Sequence, residues 1–345
     1  MKTTPFFEIH NQLGAKMALF GGYQMPIQYS GVKHEHLGVR EKLGVFDVSH
    51  MGEFIVEGPR AFNLLQFICS NDISKLKPGK AQYNYMPNET GGVIDDLIVY
   101  QLNTQKYLLV INASNIDKDW DHIQNQNQKF NAIVTDQSEK TALLAIQGPK
   151  ALTAMQSICN AQLDQLSHYS HITSTFAGVE NVLVATTGYT GAGGIEIYFD
   201  VAKAEKIWKA VIKAGTEFGI LPVGLAARDT LRMEMGYCLY GNEINICVPA
   251  DDVERPVESI PNPDNIIFDF KKIITKPARK YVEITIVDLY NYASPMHDEH
   301  TFDIINEEDA HRIIKEFIVN KEKSPELVFQ VGCCENHHCI TTLDI

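Results

Sequence analysis

The stretch Gly91-Gly92-Val93-Ile94-Asp95-Asp96-Leu97-Ile98-Val99-Tyr100 places two adjacent carboxylates between a Gly-Gly turn signal and a β-branched, aromatic run. The run reads as a strand, so one acid faces a core and its neighbour faces away. Burying an unpaired carboxylate is expensive, which makes a solvated turn acid the simplest reading of the pair. The sharper reading is a carboxylate held at the mouth of an apolar strand, where it can orient a basic nitrogen or exchange a proton with it.

Outward from this strand the pattern is mixed α and β, with antiparallel strands favoured over a wound parallel sheet. Apolar runs at 97–102 and 107–111 are separated by Asn103-Thr104-Gln105-Lys106, a hairpin signal. Pro59 opens a helix to about residue 69, with Phe62, Leu65 and Cys69 at helical spacing. Residues 115–125 carry Ile116, Trp120 and Ile123 on one helical face. Residues 141–146 read as a buried strand, and Gly148-Pro149 starts a helix through Ala154 and Ile158. A strand at 182–186 precedes a helix at about 202–218 that buries Ile207, Trp208 and Val211.

At 345 residues the chain has room for two or three domains, and 45% hydrophobic with 21% charged residues fits a globular protein. No run of 18 apolar residues occurs, which predicts no membrane span. The start Met1-Lys2-Thr3-Thr4-Pro5 has neither a signal-type apolar core nor an Arg-rich transit pattern, so a cytoplasmic location is expected. A net charge of −13 argues against nucleic acid as the main partner. That charge is uneven: residues 246–345 hold 19 Asp/Glu against 10 Lys/Arg, the first 245 only 24 against 20. Such a shift marks a boundary near residue 245.

Seven scattered cysteines read as reduced thiols. Cys333-Cys334-Glu335-Asn336-His337-His338-Cys339 is dense in soft ligands, yet no second pair at finger-like spacing accompanies it, so unpaired thiols and no metal are expected. Nucleotide-binding readings fail in detail. Gly191-Ala192-Gly193-Gly194 has Glu196 where a dinucleotide fingerprint needs a third Gly, and Gly79-Lys80 is followed by Ala81, not by the Ser or Thr of a P-loop. Asp47, Ser49 and His50 alternate within one short segment, which weakens a hydrolase triad and leaves His50 as a satisfied structural histidine.

Several ordered motifs accompany the acid pair. Upstream are Thr4-Pro5-Phe6-Phe7, Phe46-Asp47-Val48-Ser49-His50-Met51-Gly52-Glu53 and Gly79-Lys80-Ala81-Gln82-Tyr83. Downstream are Val110-Ile111-Asn112-Ala113-Ser114-Asn115, Ala145-Ile146-Gln147-Gly148-Pro149 and Thr187-Gly188-Tyr189-Thr190-Gly191 with Glu196. Gly224-Leu225-Ala226-Ala227-Arg228-Asp229 and Tyr240-Gly241-Asn242 close the series. In this order and spacing the chain resembles the aminomethyltransferase, or T-protein, of the glycine cleavage system, from residue 1 to about 245.

The resemblance implies an α+β, multidomain T-protein-like fold with antiparallel sheets flanked by helices. Residues 1–245 would form a folate-binding region of two intertwined subdomains, about 1–50 plus 140–245, and 51–139; residues 246–345 would be a divergent acidic C-terminal region. It further implies transfer of a one-carbon unit from an aminomethyl-lipoyl H-protein to tetrahydrofolate, as co-substrate, with release of ammonia. Functional association with the decarboxylase and dihydrolipoyl dehydrogenase components would follow. Carried over by motif, Asp96 would orient or activate the folate nitrogen, with Asp95 a structural neighbour pointing the other way. Tyr83 and Tyr189 would be aromatic walls, Met51 an adaptable apolar contact, and Asn112 a donor and acceptor for the pterin edge. Glu196 and Arg228 also match substrate-contacting positions, although the two could instead form a structural ion pair.

Two departures stand out. Ala192 and Gly193 replace an acidic pair expected after the Gly-Tyr-Thr-Gly turn. After Ile244 the family's Ser-Pro…Gly-Leu-Gly-Trp segment and all-β domain are missing; a Pro-rich acidic stretch follows, then a strand at 280–290 and a helix at 307–319. Alternatives to the active transferase are therefore a folate-binding relative of the tRNA-modifying type and a T-protein impaired by loss of its usual third domain.

Overall fold

A computed structural model describes residues 1–89 and 92–246, and the backbone of four strands in the C-terminal part. The chain divides into two compact units, Met1–Met235 with Ile246–Asp251, and Gly236–Asn245 with Asp252–Ile345.

The strand predicted around the acid pair is Val93–Asn103, in a five-stranded antiparallel sheet ordered Ala81–Pro87, Val93–Asn103, Lys106–Ile111, Gly52–Glu57, Ile133–Asp136. The turn after Asn103 makes the expected hairpin, with Asn103 paired to Lys106. Strand alternation splits the acids. Leu97 and Val99, on the Asp95 face, join a core with Leu64, Leu65, Ile68 and Ile123 from two covering helices. Ile98 and Tyr100, on the Asp96 face, join a second core with Phe46, Leu143, Ala185 and Tyr198.

That second core is shared with a six-stranded sheet ordered His171–Phe176, Val179–Ala185, Gly194–Asp200, Thr141–Gln147, Gly44–Asp47, Leu221–Pro222, antiparallel except at its last pair. The other face of this sheet carries a third core with Ile146, Ile197, Ile207, Trp208 and Val211. The last three come from the helix Ala204–Gly215, whose apolar residues recur every three or four positions as predicted. Burying Ile207 and Val211 stabilises by about 2 kcal/mol each. A small sheet of Lys2–Thr3, Tyr23–Gln28 and Lys16–Phe20 completes the first unit.

Two helices differ from the sequence reading. In Ala61–Ile68 the buried face is Ala61, Leu64, Leu65 and Ile68, while Phe62 is 37% exposed. Phe62 and Leu65 share the predicted stripe, but the sheet lies one residue around the helix from it. The helix after Pro149 is short, Ala151–Gln156, and ends before Ile158 because Cys159 bridges to Phe176 instead.

In the second unit, Val282–Asp288 is the predicted strand. It lies in an antiparallel sheet ordered His300–Ile304, Val282–Asp288, Leu327–Cys333, Cys339–Leu343, so three strands join the one read from sequence. The helix expected at 307–319 lies outside the described residues, as does most of the cysteine- and histidine-rich stretch, whose end residues Cys333 and Cys339 are cross-strand partners. Among the described residues no helix is long and apolar enough to cross a membrane, and no group of three or more His, Cys, Asp or Glu is arranged to hold a metal ion.

Candidate active site

The register of the five-stranded sheet assembles the first half of the site. Tyr83 lies opposite Ile98, which puts its ring diagonal to Asp96 on the same face, within reach of a long side chain. Its hydroxyl donates to Asp96 Oδ2 at 2.6 Å. Asn112 follows the strand Lys106–Ile111, whose last residue pairs with Leu97. The Asn112 amide Nδ2 donates to Asp96 Oδ1 at 2.7 Å and to Asp95 Oδ1 at 3.0 Å. The solvated-turn reading of the acids does not hold: Asp96 is 9% exposed and Asp95 wholly buried. Burial, and then the adjacent Asp95 charge, push the Asp96 carboxyl up to about 7, against the stabilising hydrogen bonds from Tyr83 and Asn112.

The second half is built on the six-stranded sheet and the helix Leu225–Glu234. Arg228 lies on the first turns of that helix with its guanidinium 4.4 Å from the Tyr189 ring centroid, a cation–π contact. Tyr189 sits in a turn where Gly191 and Gly194 both take positive φ. A Cβ on Gly194 would fall 2.2 Å from the Ile146 carbonyl oxygen, so that position admits no side chain. Arg40 clamps the turn to the helix, donating to the carbonyls of Thr190 and Leu231 and pairing with Glu234 at 2.8 Å.

Glu196 and Arg228 do not form an ion pair within 4 Å; they act on each other as opposite charges at longer range. Glu196 Oε2 instead accepts the Thr187 hydroxyl at 2.6 Å. Since Thr187 spends its proton there, it accepts from Tyr100 at 2.8 Å, and Tyr100 accepts from Tyr198 at 2.9 Å. Tyr100 is four residues beyond Asp96 on the same strand face, about 13 Å along it. This hydroxyl relay links the strand that bears Asp96 to the sheet that bears Glu196. Burial raises the Glu196 carboxyl, while the Thr187 bond and the Arg228 charge oppose the rise.

Met51 packs at the edge of the core that contains Tyr100 and Tyr198. The neighbouring His50 is buried but not satisfied: among the described residues its Nδ1 has no hydrogen-bond partner. Burial and the Arg228 charge hold it down at about 4, so it is neutral at pH 7. Asp47 and Ser49 make no triad with it. Asp47 binds His10 and Thr4, and Ser49 donates to the Leu143 carbonyl.

Sequence reasoning missed Tyr100, Thr187, Asn115 and Asp119. Asn115 donates to Asp95 Oδ1 at 2.6 Å, and Asp119 is wholly buried on the helix Ile116–Asn127. Asp119 had a signal: it lies three residues after Ile116 and four before Ile123, an acid on the apolar stripe. A groove of about 580 Å³ lined by Ile55, Leu108, Lys140, His171 and Asp200 contains none of the predicted site residues.

Residues 6–253 match the family described as the GCVT N-terminal domain. Over 259 residues, 75% of this chain and 70% of theirs, it is 54% identical to an aminomethyltransferase of Bacteroides thetaiotaomicron and 52% identical to one of Flavobacterium psychrophilum. Among solved structures it resembles the glycine cleavage system aminomethyltransferase T of Bartonella henselae, with TM-score 0.66 and 35% identity over 71% of this chain and 66% of that one. The chain thus spans about two thirds of the length of these relatives.

Proposed function

Because the chain belongs to the aminomethyltransferase family of tetrahydrofolate-dependent transferases, we propose that it moves a one-carbon unit from an aminomethyl group on a lipoylated H-protein to tetrahydrofolate, releasing ammonia, as part of glycine cleavage beside the decarboxylase and dihydrolipoyl dehydrogenase components. The observation that carries this reading is the Asp96 carboxyl, held between Tyr83 and Asn112 with its midpoint at about 7. A base poised near the working pH is present in both protonation states, as proton transfer requires.

The residues fit the proposed co-substrate. Tetrahydrofolate supplies the nucleophilic nitrogen that receives the carbon. The Asp96 carboxylate orients that amine and takes the proton it loses. Tyr83 and Asn112 fix the two carboxylate oxygens, so the acceptor lone pairs are aimed before the reaction begins. Tyr189, pinned by Arg228, offers a flat wall for a pterin ring, and the partly exposed Glu196 and Asn112 offer polar partners for its edge. Met51 adapts to the remaining apolar surface.

Full-length protein mixed with aminomethyl-loaded, lipoylated H-protein and tetrahydrofolate tests the proposal. Ammonia release that depends on tetrahydrofolate and falls by about 10²–10⁴-fold in Asp96→Asn is the expected result. Calorimetric binding of tetrahydrofolate without ammonia release would point to a folate-binding relative of different activity, and absence of binding to an impaired protein.

A further inference from the structure

Asp95 and Asp119 are both wholly buried, neither Asp119 oxygen has a hydrogen-bond partner among the described residues, and the two acids act on each other as neighbouring carboxyl groups in close contact. Two carboxyl groups can share such a contact only when one of them holds a proton. The surroundings decide which one. Asp95 accepts three N–H groups: the Asn112 backbone at 3.3 Å, the Asn112 amide at 3.0 Å and the Asn115 amide at 2.6 Å. Neither oxygen of Asp119 receives a donor from any described residue. Negative charge is stabilised where donors converge and penalised where none do, so the proton belongs on Asp119.

Around Asp119 the Lys118 charge opposes this assignment, and burial with the neighbouring acids outweighs it. On its own helix, Lys118 sends its ammonium to the Ile94 carbonyl, and Asp117 and Asp121 face solvent. From the facing strand come Asp95 and Asp96, both repelling a charge on Asp119. The helix Ala61–Ile68 packed beside it has no ionisable side chain. Burial and these acids together raise the Asp119 carboxyl to about 11.

The consequence reaches Asp96. The Asn112 amide is shared between Asp95 and Asp96, so the hold on Asp95 sets where Asn112 lies and therefore how Asp96 is held. We propose that Asp119 is a positioning residue: it stays protonated at neutral pH, donates to Asp95, and through Asn112 fixes the carboxylate of Asp96. Its importance for catalysis rests on the role proposed for Asp96, but its protonation does not.

The test uses the full chain. An infrared difference spectrum at pH 8.5, wild type minus Asp119→Asn, is expected to show the carbonyl stretch of one protonated carboxylic acid. Buried acids common to both proteins cancel. Absence of that band overturns the proposal whether or not tetrahydrofolate binds. In the second arm, carboxyl-carbon NMR follows the Asp96 titration. Asp119→Asn keeps a donor to Asp95 and leaves the midpoint in place. Asp119→Leu removes it, the shared Asn112 amide is drawn toward Asp95 and away from Asp96, and the midpoint rises by about one unit. An unchanged midpoint in Asp119→Leu, or an equal shift in both variants, refutes the coupling. If Asp119→Leu does not fold, the Asn variant decides alone. A wild type that passes both arms yet fails to use tetrahydrofolate refutes the functional reading and leaves the acid pair standing.

Discussion

Replacing Asp96 with Asn separates the two costs and benefits of a buried carboxylate. Asn keeps the shape, still accepts from one side-chain partner, and lets the Tyr83 hydroxyl reverse its role from donor to acceptor. What disappears is the titration. In the fold the Asp96 carboxyl is raised from 3.8 to about 7, by burial first and the Asp95 charge second. A raised acid means that the native state keeps a proton the unfolded chain has already lost. Its stability contribution is therefore complete below the unfolded value and declines as pH rises through the folded one. Between pH 5 and pH 8 about two units of that window are crossed, which corresponds to a loss of about 3 kcal/mol in the wild type. Asp96→Asn should not show this loss. Urea unfolding of both proteins at pH 5 and pH 8 checks the difference: the variant gains about 3 kcal/mol relative to wild type between the two conditions. At the same time turnover should drop by about 10²–10⁴-fold, the usual contribution of a positioned base. Parallel pH dependence in the two proteins would refute the reasoning, because it would mean that Asp96 titrates in the fold as it does in water.

Tyr83→Phe removes a hydrogen bond that favours the charged form of Asp96. The acid limb of the pH–rate profile should therefore move up by about one unit, and an unmoved limb would count against the bond. Arg228→Ala unpins the Tyr189 ring, and about 1 kcal/mol of lost cation–π energy predicts roughly fivefold weaker tetrahydrofolate binding by calorimetry. Glu53 is buried with neither carboxyl oxygen partnered among the described residues, and burial raises it well above its ordinary value. Its contribution to stability is thus lost as pH rises, so Glu53→Gln should be more stabilising at pH 8 than at pH 4 by chemical unfolding.

The periodic elements were legible because a single face decided them. The hairpin after Val93 and the helix that buries Ile207, Trp208 and Val211 follow alternation and helical spacing directly. Phe62 shows the limit: a helix with apolar residues most of the way round does not say which of them the sheet will cover. Asp96, Tyr83 and Asn112 were named through family motifs, and the structure puts them in hydrogen-bonding contact. Spacing could not show that Asn112 serves both acids, since that depends on the register between two strands and a helix start. Tyr100, Thr187 and Glu196 are 87 and 9 residues apart, and no local pattern links them. His50 was misread because its sequence environment says nothing about which ring nitrogen finds a partner.

The strand from Val93 to Asn103 uses both of its sides, a seat beneath a helix for Asp95 and a place beside Tyr83 for Asp96. Shifting the backbone by a single position would swap these neighbours, putting one acid's oxygens under the helix and the other's beside Tyr83. Lengthening or shortening the link at Gly91-Gly92 by one residue is therefore a switch of chemical identity, while the far turn after Asn103 can absorb the same edit in solvent. An acid doublet that looks redundant on paper is in practice addressed by parity.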